Sequence, residues 1–289
     1  MTDPPLTAQQ IERIEQAEIC SWRAETVGDD GAVAVRTFRA GGLTAFATPG
    51  RPNTLFNRAI GIGPDDAEHV APLLEWYAAQ GAHGIAPRID VSPARKSPQL
   101  DAALRAAGLE PGGMPMWARR LMAGPVPADG HKNVPVPGIT VREITSDEAG
   151  MFENIRQQVW PAPMADLPYR IAGLRASHGQ PGVFWYFACI DGRQPVAVGG
   201  MVCTDGVAYL CIAATLPEHR RKGCQTALVR QRIADAAAAG CDLVCSLVAP
   251  DSDSERNLRR AGLTATVDRE LWMAPAWYEH RFYRETTPP

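Results

Sequence analysis

The sequence predicts an α/β protein with mixed sheets, arranged as two tandem copies of one αβ unit. Three observations carry that prediction. Residues 209–240 read as an apolar strand, a basic loop closed by Gly223 and a long helix. The phrase Leu104-Arg105-Ala106-Ala107-Gly108-Leu109 returns as Leu258-Arg259-Arg260-Ala261-Gly262-Leu263, and a strand pattern with a tryptophan follows each, Trp117 and Trp272. Between the copies, residues 122–138 hold four prolines and three glycines without periodicity, the composition of a linker.

The elements follow in order. Residues 7–26 form a helix pattern in which Ile11, Ile14, Ala17 and Trp22 make an apolar stripe that Glu18 interrupts. Short strand patterns follow over 32–38, 43–48 and 55–62, separated by glycine and proline. A helix over 65–80 carries Val70, Leu73, Leu74 and Tyr77 on one face, and Gly81 ends it. Then come a strand over 85–91, a helix over 100–107 and a strand over 114–121. After the linker the pattern restarts with strand 139–143, helices 146–159 and 164–178, and strands 183–190, 196–203 and 207–215. The helix after Gly223 leads to strand 243–248, helix 252–261 and strand 264–273. The expected division is a first unit over 1–122, a linker over 123–138, a second unit over 139–275 and an aromatic tail over 276–289 with Trp277, Tyr278, Phe282 and Tyr283.

With 289 residues there is enough chain for two cores. The 45% hydrophobic and 21% charged content is that of a globular protein, and the net charge of −3 lacks the basic excess of a nucleic-acid binder. No apolar run reaches membrane-spanning length, and Met1-Thr2-Asp3-Pro4-Pro5 does not open a signal peptide, so a cytoplasmic protein without membrane or nucleic-acid partners is expected. The seven cysteines, an odd number, fall mostly in strand patterns or at helix ends and read as reduced core residues. Cys241 and Cys245 share a strand face with no histidine at ligand spacing, so no metal is expected.

The chemistry concentrates after the strand 209–215. A helix start has unpaired N–H groups and a positive dipole end, and three cations, Arg220, Arg221 and Lys222, precede it. The loop Arg220-Arg221-Lys222-Gly223-Cys224-Gln225, set between strand and helix, resembles the pyrophosphate-binding motif of the GCN5-related N-acetyltransferases. Gln225 departs from it, standing where a small residue is usual. The resemblance implies that N–H groups from Arg221 to Thr226, those of Lys222, Gly223, Cys224 and Gln225 among them, hold the diphosphate of acetyl-CoA or another acyl-CoA, with Arg220 adding charge. It also implies that the backbone of Ala213, Ala214 and Thr215 pairs with the pantetheine arm and that Asn257 contacts it.

Pro64 to Gly81 spans 17 positions against 23 from Pro217 to Gly240, and the difference falls at the basic loop. The chain thus resembles tandem acetyltransferases whose N-terminal domain keeps the fold without the cofactor site. Family members often take the proton for the leaving thiolate from a tyrosine; Leu258 stands there instead. Glu218, Asp253, Ser254 and Tyr278 are the candidates for proton transfer, beside His219, Asp251 and Tyr283. Trp160, Tyr169, Trp185 and Tyr186 are candidates either for an acceptor pocket or for core. The expected function is transfer of acetyl from acetyl-CoA to an amine of a small molecule, in a ternary complex, by a monomer or homodimer. An acyl-CoA sensor without chemistry, a thioester hydrolase and a decarboxylase are the alternatives, and Cys211 or Cys224 would serve a covalent route.

Overall fold

A helix flanked by a sheet on either side holds the molecule together. The computed structural model describes residues 5–26, 35–48, 57–80, 88–92, 95–112, 120–127, 135–161 and 164–275. Trp117 and the tail with Tyr278 and Tyr283 lie outside the described residues. The helix is α1 (Ala8–Thr26). Its Ile11, Ile14, Ala17 and Ala24 enter the core of the second sheet, while Ile19 meets Phe46 and Ile60 of the first.

The first half continues with β1 (Arg36–Ala40), β2 (Leu43–Ala47), β3 (Arg58–Ile60), α2 (Val70–Ala79), β4 (Arg88–Val91), α3 (Pro98–Ala106), β5 (Glu110–Pro111) and β6 (Arg120–Pro125). Helix α3 starts where the Ser97 hydroxyl accepts from Leu100 N–H at 3.1 Å, with Pro98 in the first turn. The second half has β7 (Ile139–Glu143), α4 (Ala149–Val159), α5 (Leu167–Ser177), β8 (Val183–Ile190), β9 (Gln194–Thr204), β10 (Val207–Tyr209), β11 (Ala213–Thr215) and α6 (Cys224–Ala238). It ends with β12 (Leu243–Val248), α7 (Asp253–Arg260), β13 (Ala265–Asp268) and β14 (Glu270–Met273). No helix among the described residues is long and apolar enough to cross a membrane.

One sheet runs β1-β2-β3-β4-β14-β5 and the other β13-β6-β12-β10-β9-β8-β7, with β11 alongside β9. Each half therefore gives a strand to the other's sheet. β6 lies antiparallel between β12 and β13, with Leu121 opposite Leu247 and Val267. β14 lies antiparallel between β4 and β5, with Trp272 opposite Ile89 and Pro111. The exchange is secured by burial, because alternate residues of a strand reach opposite faces. Leu121 and Ala123 enter the core beneath α1, Met122 enters the core beneath α6, and Trp272 is fully enclosed in the core of the first sheet.

Two expectations are corrected here. The single strand over 264–273 is two strands in two sheets, parted at Arg269. Residues 123–125, expected as linker, end a central strand. Their glycine reflects close approach: a Cβ on Gly124 would sit 2.4 Å from the carbonyl oxygen of Gly262.

Charged residues are buried between α1 and the first sheet. Glu18 accepts from Arg58 at 2.7 Å and also from Arg269, Arg58 pairs with Asp90, and Arg88 donates to Asp90 at 2.9 Å. Glu15 accepts from Ser92 at 2.7 Å and Arg95 at 2.6 Å. Burial pushes the Asp90 carboxyl up, but Arg58, Arg88 and Arg269 outweigh it and hold the group well below the usual carboxylate range. Glu18 follows the same balance, with Arg269 and Arg58 prevailing over burial. The residue that interrupts the apolar stripe of α1 thus anchors Arg269, the crossing point between β13 and β14.

Candidate functional site

Strands β10 and β12 run parallel for three residues and then part. Leu210 N–H donates to Cys245 O at 2.8 Å and Ser246 Oγ to Leu210 O at 2.8 Å. At Ile212 the backbone turns left-handed, with φ 44°, and β11 resumes beside β9 alone. This opens a gap between β11 and the end of β12.

Antiparallel ladders alternate which residues face the partner strand. Leu216 N–H donates to Val196 O at 3.0 Å and Gly200 N–H to Ile212 O at 3.2 Å. Ala214, of the same parity, therefore turns its backbone to β9, whereas Ala213 and Thr215 turn theirs into the gap. Trp160 Nε1 lies 3.5 Å from Ala213 O, and Arg220 Nε donates to Thr215 O at 3.4 Å, which agrees with that direction. Of the three expected backbone contacts, the geometry brings two to the gap.

The gap leads to the start of α6. A 3-10 turn, Pro217–His219, precedes Arg220, Arg221 and Lys222, all exposed. Arg221 has φ 61° and Gly223, the residue before the helix, φ 91°. A side chain on Gly223 would be strained, and its Cβ would meet Val136 Cγ1 at 2.7 Å. No side chain caps this end, and the first helical turn carries no acid, so the leading N–H groups and the positive dipole end are left for an anion. Gln225 Nε2 donates to Thr215 Oγ1 at 2.9 Å, so a long residue is accommodated by bonding to the strand. Cys224 is buried under the helix and Thr226 is exposed beside it.

The proton-transfer candidates are scattered. Leu258 is 4% exposed and packs in the core beneath α6. Asp253 is exposed, and a hydrogen bond from Arg256 holds its carboxyl low. Ser254 is also exposed, while Ser252 caps α7, its hydroxyl accepting from Glu255 N–H at 3.2 Å. Asn257 Oδ1 accepts from Arg260. Asp251 donates its N–H to Glu255 at 2.7 Å. Glu218 is exposed, 3.8 Å from His219 Nε2, and His219 Nδ1 is buried without a partner among the described residues.

Burial pushes the Cys211 thiol up to about 12 and raises that of Cys224, so neither has the thiolate character of a nucleophile. Trp185 is core, donating to Ser177 at 3.1 Å, and Tyr186, on the opposite face of β8, donates to Asp235 at 2.7 Å. These two cannot line one pocket. Trp160, 60% exposed and held near the backbone of β11, is the candidate that reaches the gap.

Two residues escaped the sequence reading. Ile212 looks like any apolar strand residue. Arg232 carried a signal: it lies four residues from both Leu228 and Ala236, buried residues of α6, and is itself 2% exposed. Its guanidinium reaches the bulge at Cys211 and Ile212.

Residues 143–262 match the model of the acetyltransferase (GNAT) family. That family uses acetyl-CoA as cosubstrate. Solved structures with the same fold include a GCN5-related N-acetyltransferase from Kribbella flavida, with TM-score 0.61 and 19% identity over 92% of this chain and 95% of that one. A tandem GNAT protein from the clavulanic acid biosynthesis pathway has TM-score 0.54 and 16% identity over 93% of this chain and 95% of that one. A GCN5-related N-acetyltransferase from Sphaerobacter thermophilus has TM-score 0.54 and 14% identity over 82% and 81%. None of the curated proteins compared with the chain matches it.

Proposed function

We propose that the protein transfers acetyl from acetyl-CoA to an amine of a small molecule, at the gap between β11 and β12. The parted strands leading to the glycine-closed start of α6 carry this reading. The diphosphate of the donor lies on the N–H groups from Arg221 to Thr226, with Arg220 and the helix dipole adding charge. The pantetheine amides pair with the outward carbonyl of Ala213 and the outward backbone of Thr215, and Asn257 approaches the arm from α7. The thioester carbonyl accepts from N–H groups at the bulge. The amine nitrogen attacks the carbonyl carbon, the C–S bond breaks, the thiolate departs and the amine proton passes to water. Leu258 supplies no acid to the thiolate, and a thiol pKa of about 8.5 lets the thiolate leave unaided, at a rate lower by about 10²–10⁴.

The first unit has a structural role in this reading. Its equivalent turn is closed from within: Gly63 N–H donates to Asp66 at 2.7 Å and Gly42 N–H to the same carboxylate at 3.4 Å. A protein carboxylate takes N–H groups that an anionic ligand would need. The buried Leu258 favours a second reading, an acyl-CoA sensor without chemistry. Thiol release from acetyl-CoA across an amine panel separates them. Amine-dependent release supports transfer, amine-independent release means hydrolysis, and binding without release means a sensor.

A further inference from the structure

Arg232 is a buried cation without an acidic partner among the described residues. Its Nε donates to Leu228 O at 3.1 Å, and its Nη1 to Gly200 O at 3.0 Å, Cys211 O at 3.3 Å and Ile212 O at 3.4 Å. Burial pushes the guanidinium down to about 10, and Cys211 and Tyr186 only partly offset that. Enclosing such a charge among carbonyls is costly, and an apolar side chain of the same length would fill the space more cheaply. The contacts show what the charge does for the strand above it.

In the β9–β11 ladder Gly200 faces Ile212, and a regular pair would exchange two hydrogen bonds. One forms, from Gly200 N–H to Ile212 O. Gly200 O takes Arg232 instead of Ile212 N–H, which has no partner among the described residues. Gly200 N–H also donates to Cys211 O at 2.9 Å, so the carbonyls of Cys211 and Ile212 are drawn together toward Gly200 and Arg232. A trans peptide points its N–H opposite its C=O. The N–H groups of Ile212 and Ala213 therefore both aim into the gap, a pair of adjacent donors of the kind that binds a developing negative charge. The positive charge on the carbonyl side polarises both peptides. The fit depends on two glycines: a Cβ on Gly199 would lie 3.3 Å from Arg232 Cζ, and one on Gly200 would strike Trp185 at 2.4 Å.

We infer that Arg232 is a positioning residue that holds the bulge open, with the Ile212 and Ala213 N–H groups aimed at the reacting carbonyl. This rests on the function proposed above, and the test separates the two. Arg232→Met and Arg232→Lys are compared with the wild-type chain for kcat, for coenzyme A affinity by calorimetry, for thermal unfolding and for exchange of the Ile212 amide by NMR. The expected result for Arg232→Met is a kcat lower by about 10²-fold, coenzyme A affinity within about threefold because that ligand has no acyl carbonyl, and partial recovery of kcat in Arg232→Lys. Exchange at Ile212 slows in Arg232→Met, because its N–H takes up the freed Gly200 carbonyl. Equal losses of kcat and coenzyme A affinity, or a kcat within about threefold of wild type, overturn the inference. If no amine releases thiol from the wild-type chain, the proposed function fails, and unchanged Ile212 exchange then overturns the positioning role by itself. Should Arg232→Met not fold, Arg232→Lys carries the same comparison.

Discussion

The two sheets share one arrangement of strands, to which the second adds β7 and β11, and they differ at the turn that leads into the following helix. β1-β2-β3-β4 and β8-β9-β10-β12 have the same order and the same parallel central pair, and each is completed by a strand from the other half followed by its own β5 or β13. After β3 a 3-10 turn, Ala67–His69, runs straight into α2, and the N–H groups before it donate to Asp66. After β11 four further residues, ending at the left-handed Gly223, separate the turn from α6 and leave its first N–H groups uncapped. A shared topology therefore does not confer a shared turn: a few residues of loop and one internal carboxylate separate an uncapped helix start from a closed turn.

The largest effect is expected where the two sheets are tied. Arg269→Met leaves Glu18 buried with one cation fewer and should cost about 3–5 kcal/mol in urea unfolding, with both sheets unfolding in one transition. Separate transitions would mean that the exchanged strands do not couple the halves. Asp90 and Glu18 have depressed pKa values, so their stabilisation is fully present above the normal carboxylate range and is lost as pH falls from that range down through the depressed values. Acid unfolding should consequently proceed as one step, earlier in Arg269→Met than in the wild type.

Next in size, Gly223→Asp places a strained acid in the cradle and should weaken acetyl-CoA binding at least about 100-fold in calorimetry, roughly 2.8 kcal/mol. Asp66→Asn, at the equivalent turn of the first sheet, should leave that affinity unchanged. Arg220→Ala should lower affinity by about tenfold, with a weaker salt dependence than the wild type. The smallest effect is expected for Gln225→Ala, which removes the bond to Thr215 and should cost about 1 kcal/mol of stability with affinity within about threefold. A much larger loss of affinity would place the Gln225 side chain on the ligand.

Periodicity and turn residues made most of the second half legible: strands 139–143, 183–190 and 243–248 stand where the alternation put them. The strand exchange was hidden because pairing partners leave no local trace. Asp268-Arg269-Glu270, three charges within an apparent strand, was the one hint that the chain crosses between sheets there. The break of 207–215 into β10 and β11 was equally silent, since Ile212 is apolar and its left-handed turn is imposed by Gly200 and Arg232, both distant in sequence. Gly223 was readable because a glycine between a basic run and a helix pattern marks a left-handed turn, and its φ is 91°. Proton carriers were not, since their placement depends on how elements distant in sequence, such as α4 and α7, meet around the gap.

Of the two related sheets, one is expected to hold the acyl donor. Calorimetric titration of the whole chain with acetyl-CoA counts the sites. One site per chain is expected, abolished by Gly223→Asp and retained in Asp66→Asn. Two sites per chain, or binding that survives Gly223→Asp and disappears in Asp66→Asn, would contradict it.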